Sequence, residues 1–323
     1  MSLGVLGAGA FGTALAIALS ERQEISLWAR DPDQAQAMAR ARTNERYLPE
    51  IVLPARIAIT AEIHDLSRHD LLLLAVPMQR LRSVLREHPE LFAHKTLIAC
   101  CKGMELGTTM GPVSILEECA PSSTPALLTG PSFARDIAGG LPTALTLACA
   151  DPKVGARLQD KLSTSTLRPY RTQDVIGAEL GGAMKNVIAI ACGAVMGAGL
   201  GDSARAALMT RGYAEMERLA RAQGGQPETL AGLSGLGDLA LSCTSDQSRN
   251  YRLGLALGRG ADFDPTVTVE GAATARAIDA GAKKNGLDLP ITAAVVDLLD
   301  KQVTLADVMK RLLSRPLKEE GPC

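Results

Sequence analysis

Aromatic residues are scarce: phenylalanine, tryptophan and tyrosine together fill 3 % of the 323 positions. That scarcity disfavours an antiparallel sandwich built on aromatic strands, while the abundant Ala, Leu and Gly suit close-packed helices and parallel strands. An excess of either charge is also missing. The 34 basic and 35 acidic residues leave a net charge of −1, and a sequence-independent nucleic-acid binder needs a basic excess. Nucleic acid is therefore not an expected partner, and any anion must be recognised by a few placed groups. The cysteines, Cys100, Cys101, Cys119, Cys149, Cys192, Cys243 and Cys323, are odd in number and scattered. With no CxxC pair or His-rich cluster beside them, they argue against a disulfide framework or a zinc site. They read as small buried thiols of a reduced compartment, and no metal site is expected. One apolar segment invites a membrane reading. The uncharged stretch Val187–Gly201 has only 15 residues, many of them Gly or Ala, where a span needs about 20 predominantly apolar ones. It predicts a buried helix and no membrane insertion. The apolar start at Leu3 is broken by glycines and reads as a strand, not a signal peptide.

What is present is a large apolar fraction, 46 %, in a chain long enough for two domains. In the first part, short apolar runs alternate with helical stretches. Leu3–Leu6, Ile25–Trp28, Leu71–Val76, Leu97–Cys101, Ala126–Leu128 and Thr143–Cys149 read as buried strands. Thr13–Ser20, Asp33–Arg40 and Gln79–Arg86 read as helices between them. Such alternation implies a parallel sheet with right-handed crossovers. After about Tyr170 the pattern becomes helical, over Val175–Val195, Ala204–Ala222, Asn250–Leu257, Gly271–Asn285, Ile291–Leu299 and Leu305–Leu313, with Thr304 a candidate N-cap for the last. Arg315–Cys323 reads as a charged tail. The expected fold is α/β: a doubly wound, Rossmann-like domain over residues 1–172 and an all-α domain over 173–323.

The segment Gly7-Ala8-Gly9-Ala10-Phe11-Gly12 lies between the first strand and the first helix. A Gly-x-Gly-x-x-Gly turn in that setting fits dinucleotide binding. Gly7 permits the tight turn, Gly9 lets the backbone approach a pyrophosphate, and Gly12 lets helix and strand pack closely. The helix N-terminus then offers N–H groups and partial positive charge to the phosphates. At the tip of the second strand, where NAD-specific sites place an acidic residue for the ribose 2′-hydroxyl, stands Arg30, followed by Asp31. A guanidinium can contact a 2′-phosphate or stack on adenine, so NADPH is tolerated beside NADH.

Hydride transfer to a ketone needs a proton donor at the carbonyl oxygen, most often histidine. Here His64, His69, His88 and His94 all lie in the first third, with none in the second domain, which excludes a lactate- or malate-type His/Asp pair. Lysine is the next choice, because burial near other cations brings an ammonium toward a useful pKa. Lys185 and Asn186 form a polar pair inside an apolar helix, costly unless they serve a ligand or partner. Asp238 follows the glycine turn Gly235-Leu236-Gly237, and Gln247-Ser248-Arg249-Asn250 puts an Arg fork and an amide at a helix start, a natural phosphate site.

Taken together these residues resemble the bacterial NAD(P)-dependent glycerol-3-phosphate dehydrogenase family along nearly the whole chain. The matching segments are GAGAFGTALA (7–16), AVP (75–77), CKGME (101–105), LTGPSFARDIAGGLPTA (128–144), DVIGAELGGAMKNVIAI (174–190), ARAALMTRGYAEM (204–216), GLSGLGDLALSCT (232–244), QSRNYRLGLALG (247–258) and VEG (269–271). The resemblance implies reversible reduction of dihydroxyacetone phosphate to sn-glycerol 3-phosphate with NADPH or NADH, supplying phospholipid synthesis, in a cytoplasmic homodimer. By the same resemblance Lys185 is the proton donor and acceptor, Lys102 contacts substrate and nicotinamide, and Asp238 orients Lys185. Asn186 supports the developing charge. Ser248, Arg249 and Asn250 hold substrate, with Arg249 reaching the cofactor, and Gly130 and Ser132 help to enclose substrate. Ala10, Phe11, Arg30, Ala134, Thr268 and Glu270 fall at cofactor-contacting positions. Two departures are visible: Ala10-Phe11 stands where Ser-Tyr or Ser-Trp is frequent, and Thr268 where Val is common. Two other readings stay open on the residues. A β-hydroxyacid dehydrogenase or ketopantoate reductase also pairs lysine with asparagine but lacks GLGDL and QSRN in this arrangement. A non-catalytic dinucleotide sensor need not keep Lys102, Lys185 and Asp238 together.

Overall fold

Four tetrads of buried residues form the centre of a sheet: β1 (Leu3–Leu6), β2 (Ile25–Trp28), β6 (Leu71–Leu74) and β7 (Thr96–Ala99). Strands covered by helices on both faces carry near-continuous apolar runs rather than alternating ones, and these four read that way. The remaining strands are β3 (Thr43–Asn44), β4 (Leu48–Val52), β5 (Ile57–Thr60), β8 (Thr124–Thr129), β9 (Thr143–Ala148) and β10 (Leu167–Thr172). The structure, a computed structural model, describes residues 2–314; the charged tail expected at Arg315–Cys323 lies outside the described residues, as does Cys323. Of the other six cysteines, all free, only Cys119 is not buried.

The chain divides into two compact units, one of residues through 102 with 111–175, the other of 103–110 with 176 onward. In the first unit the sheet order is β10-β9-β8-β7-β6-β1-β2-β5, with β3 and β4 a separate antiparallel pair. Helices α1 (Ala10–Leu19), α2 (Pro32–Ala41), α3 (Met78–Glu87), α4 (Pro89–Phe92), α5 (Pro112–Cys119), α6 (Ala134–Ala138) and α7 (Pro152–Leu162) complete it. Chain order runs outward from β1 in both directions, through β2 on one side and β6 on the other. The carboxyl end of β1 is thus the topological switch point, where doubly wound sheets bind ligands.

One expectation needs correction: the sheet is not wholly parallel. All neighbours are parallel except β8 and β9, which run antiparallel, Leu127 opposite Ala148 and Thr129 opposite Thr146. The reason is the connection. Residues 130–142 contain Pro131, Gly139 and Gly140 and form only the five-residue α6, which packs on α1 rather than across β8. A parallel return needs a crossover helix long enough to span the sheet. After β9, α7 supplies one, its N-terminus capped by the Asp151 carboxylate, and β10 is again parallel.

The second unit is helical: α8 (Val175–Gly197), α9 (Gly201–Gln223), α10 (Pro227–Leu230), α11 (Asp238–Cys243), α12 (Arg249–Arg259), α13 (Glu270–Lys284), α14 (Pro290–Leu299) and α15 (Leu305–Leu313). The expected cap of the last is present, Thr304 and Asp307 forming a reciprocal capping box. α8 is long and apolar enough to cross a membrane by length and composition, yet 89 % of its apolar window is buried inside the protein. Its Leu180, Met184, Ile188 and Cys192 pack with Met216 and Leu219 of α9, Leu239 and Cys243 of α11, and Ile278 of α13. α8 and α12 touch backbone to backbone through reciprocal glycines: a Cβ on Gly193 would stand 2.1 Å from the Tyr251 carbonyl, and one on Gly254 2.1 Å from the Ile190 carbonyl. No side chain fits there, so glycine sets how closely these helices approach.

Candidate functional site

In the first unit the glycine turn closes as its spacing predicts. Gly7 has φ +117°, and a Cβ there would lie 2.5 Å from the Ala75 carbonyl, while one on Gly12 would lie 2.0 Å from the Gly7 carbonyl. Nothing lies within 4 Å of a Cβ placed on Gly9, so the turn is closed behind and open in front. α1 begins at Ala10 with no side-chain cap and no acidic residue in its first turn. Its leading N–H groups have no acceptor within the helix, the arrangement that receives a phosphate. Ala10 and Phe11 are half-buried at this start, and Phe11 packs on the core. The residues fit a dinucleotide's pyrophosphate by backbone alone, so the missing serine hydroxyl at position 10 removes no backbone donor.

At the tip of β2, Arg30 is exposed. Asp31, the only acidic residue adjoining it, turns its Oδ1 onto the backbone N–H groups of Asp33 and Gln34 as the N-cap of α2. Past the end of β7, Lys102 Nζ donates to the Gly130 carbonyl at 2.9 Å, and Ser132 Oγ donates to the same oxygen at 3.1 Å. Lys102, Gly130 and Ser132, separated in sequence, are thus one cluster. Ala134 opens α6 two residues on. The four histidines all fall in this unit, and His69 departs from its polar sequence surroundings: it is 6 % exposed. Burial first, then Arg68 and Lys95, push its pKa below the usual histidine value.

In the second unit Lys185 Nζ lies 3.0 Å from Asp238 Oδ1 and 2.8 Å from Ser242 Oγ, with all three side chains buried. A buried ammonium requires a counter-charge, and Asp238 is it. Ser242, unremarkable in the sequence, stands one turn after Asp238 on α11, so both face Lys185 from one side of the helix; the i, i+4 spacing in Asp238-Leu239-Ala240-Leu241-Ser242 is the signal that would have found it. The next residue, Cys243, has its thiol pushed well above the usual range, by burial first and then by the Cys192 thiol, and is an uncharged neighbour. Asn186 and Asn250 also meet. Asn250 Nδ2 donates to Asn186 Oδ1 at 2.8 Å, and the Gly271 N–H donates to Asn250 Oδ1 at 2.9 Å. Ser248 caps α12 by accepting from the Tyr251 N–H, which leaves Arg249 exposed as the first helical residue. Thr268 is exposed and Glu270 half-buried at the start of α13. Glu270 immediately precedes the Gly271 N–H that holds Asn250, so this end of α13 adjoins the Asn–Asn pair.

A buried lysine with its carboxylate, an Asn–Asn pair one residue away and an Arg at a helix start can deliver a proton beside an anion site, and the open backbone of the glycine turn has the form that fits a dinucleotide. Residues 2–155 match the family described as NAD-dependent glycerol-3-phosphate dehydrogenase N-terminus, and residues 174–310 its C-terminus. The glycerol-3-phosphate dehydrogenase [NAD(P)+] of Ruegeria sp. (strain TM1040) is 61 % identical over 99 % of this chain and 100 % of its own length. That of Roseobacter denitrificans is 59 % identical over the same shares. The crystal structure of glycerol-3-phosphate dehydrogenase from Coxiella burnetii is similar with a TM-score of 0.92 at 35 % identity, over 97 % of this chain and 99 % of that one. The chain belongs to the NAD-dependent glycerol-3-phosphate dehydrogenase family.

Proposed function

We propose that the protein reduces dihydroxyacetone phosphate to sn-glycerol 3-phosphate, reversibly, with NADPH or NADH, and so supplies glycerophospholipid synthesis. The observation that carries this reading is the buried Lys185–Asp238 ion pair with Ser242 beside it. An ammonium has three N–H directions. Asp238 and Ser242 take two, and the third serves the substrate's carbonyl oxygen. Bound at the Gly7–Gly12 turn, the reduced dinucleotide supplies the hydride. Lys185 gives its proton to the oxygen as negative charge develops there, Lys102 and the Asn186 amide stabilise that charge, and in the oxidative direction Lys185 takes the proton back. Asp238 keeps the lysine oriented through both directions. Arg249, with Ser248 and Asn250 at the start of α12, holds the substrate phosphate, and Gly130 and Ser132 help to enclose the substrate. Ala10, Phe11, Ala134, Thr268 and Glu270 complete the cofactor contacts.

At the adenine end, the exposed Arg30 guanidinium is available to a 2′-phosphate while Asp31 faces α2. That arrangement favours NADPH. The 1–172 segment thus serves as the dinucleotide domain and 173–323 as the substrate domain, in a cytoplasmic homodimer; sedimentation and cell fractionation check the last two. Initial rates of NADPH oxidation with dihydroxyacetone phosphate against ketopantoate test the activity. Turnover confined to dihydroxyacetone phosphate is expected, and turnover confined to ketopantoate would replace the reading by its rival.

A further inference from the structure

Two side-chain amides from outside the glycine turn converge on one of its carbonyls. Asn44 Nδ2 donates to the Ala8 oxygen at 3.0 Å and Gln34 Nε2 to the same oxygen at 3.1 Å. Asn44 Nδ2 also donates to Thr13 Oγ1, in the first turns of α1, at 2.8 Å. A carbonyl oxygen only accepts, so the NH2 end of each amide must face it, and the orientation of both groups is settled by chemistry. Asn44 is 1 % exposed, and its other end, Oδ1, has no hydrogen-bond partner among the described residues. An unpaired buried acceptor is destabilising, and an apolar side chain at position 44 would avoid it.

We propose that Asn44 and Gln34 are positioning residues for the dinucleotide: by holding the Ala8 carbonyl, they aim the Gly9 N–H at the pyrophosphate. The proposal rests on the dinucleotide site described above. In a planar trans peptide the C=O and the following N–H point in opposite directions, so fixing the Ala8 oxygen fixes the Gly9 N–H. Gly9 has open space where a Cβ would stand, and nothing at residue 9 itself resists a flip of the 8–9 peptide. A flipped peptide would turn a carbonyl oxygen toward the phosphates and withdraw a donor from the N-terminus of α1. The short β3–β4 hairpin joins no other strand of the sheet; its Leu48 and Ile51 pack against Ala14 and Ala18 of α1, and this seating brings Asn44 to the turn.

Wild type is to be compared with Gln34→Met, Asn44→Ala and Asn44→Asp. NADPH binding is followed by its fluorescence, and adenosine 2′-phosphate, which lacks a pyrophosphate, serves as competing probe. For Gln34→Met, loss of one neutral hydrogen bond should raise the Kd and KM for NADPH by about 3- to 10-fold. Asn44→Asp, which sets a carboxylate against the Ala8 oxygen, should raise them by more than about 10-fold. The affinity for adenosine 2′-phosphate, the KM for dihydroxyacetone phosphate and kcat at saturating NADPH should stay near wild type, which a merely structural role would not produce. Gln34 lies half-buried on α2, so its variant keeps the test alive if the Asn44 variants do not fold. Unchanged NADPH affinity in folded Gln34→Met overturns the clamp. A parallel loss of NADPH, adenosine 2′-phosphate and substrate affinity also overturns it, as general loosening. A wild-type protein that binds neither NADPH nor NADH overturns the dinucleotide site itself, and the clamp with it.

Discussion

Replacing Gly254 by alanine places a methyl group where two helices touch. Its Cβ would stand 2.1 Å from the Ile190 carbonyl oxygen, 2.8 Å from the Ala194 nitrogen and 2.8 Å from the Gly193 Cα. All three are backbone atoms, so no side chain can swing aside. Ordinary contact at about 3.5 Å demands that α8 and α12 separate by roughly 1.4 Å. Overpacking of this kind costs about 1–3 kcal/mol, and backbone neighbours put the site at the upper end. Alanine's better helix propensity returns about 1 kcal/mol, leaving a net loss of about 2 kcal/mol. At about 2–4 °C per kcal/mol for a domain of this size, the melting temperature should fall by about 4–8 °C. Activity should fall further than stability suggests. α12 begins with Arg249 and Asn250, and Asn250 is bonded to Asn186 beside Lys185; a displacement of about 1 Å at such groups can lower turnover by about 10²-fold. Gly155→Ala in α7 is the matched control. A Cβ there would meet the Cys149 Cβ at 3.6 Å and the Arg171 Cδ at 3.9 Å, both ordinary contacts, so that variant should match or exceed wild-type stability. Thermal melts and steady-state kcat/KM decide the matter. A Gly254→Ala protein as stable and active as wild type would refute the idea that these glycines set the helix spacing.

Three further outcomes follow from named groups. Arg30→Ala should lower kcat/KM with NADPH by about 10–100-fold and leave NADH nearly unchanged, as read by paired initial rates, because one charge-assisted contact is lost. Ser242→Ala removes one of the two fixed partners of Lys185 and should lower kcat about 5- to 30-fold with little change in the NADPH Kd. His69 is held neutral by burial, with Arg68 and Lys95 adding to the effect, so its folded pKa lies below its unfolded value near 6.5. The unfolded chain therefore binds the proton more readily, and the stability His69 contributes is present above about pH 6.5 and lost as pH falls through its folded pKa. Melting temperatures from pH 8 to 5 should show that loss, and His69→Leu should flatten it.

The parts of the fold that were legible in the sequence are those whose signals are local. The buried strands announced themselves as apolar runs, the glycine turn by its spacing between strand and helix, and α15 by Thr304. β10 was hidden because Pro169 and the two arginines, Arg168 and Arg171, disguise an edge strand, where proline is tolerated. β4 reads as a loop, with Pro49 and Glu50 in its middle. α7 was there to be read in Asp151-Pro152, an N-cap followed by proline at the first helical position. The antiparallel β9 is a property of the connection before it rather than of its own residues. In the site, Lys185, Asp238 and Asn186 stood out because polar groups in apolar surroundings are conspicuous. Ser242 did not, since a lone serine in a helix is ordinary until a lysine from another helix is brought against it. Asn44 was the least legible, because it acts on a backbone carbonyl 36 positions away that only the folded chain supplies.

The central claim is that Lys185 moves the proton in hydride transfer. Single-turnover oxidation of bound NADPH by dihydroxyacetone phosphate in Lys185→Ala, with NADPH affinity measured on the same preparation, tests it most directly. The chemical rate should be lower by about 10²–10⁴, with the NADPH Kd within about twofold of wild type. A wild-type rate in that variant, or a wild-type protein that binds NADPH and turns over no phosphorylated ketone, would contradict it.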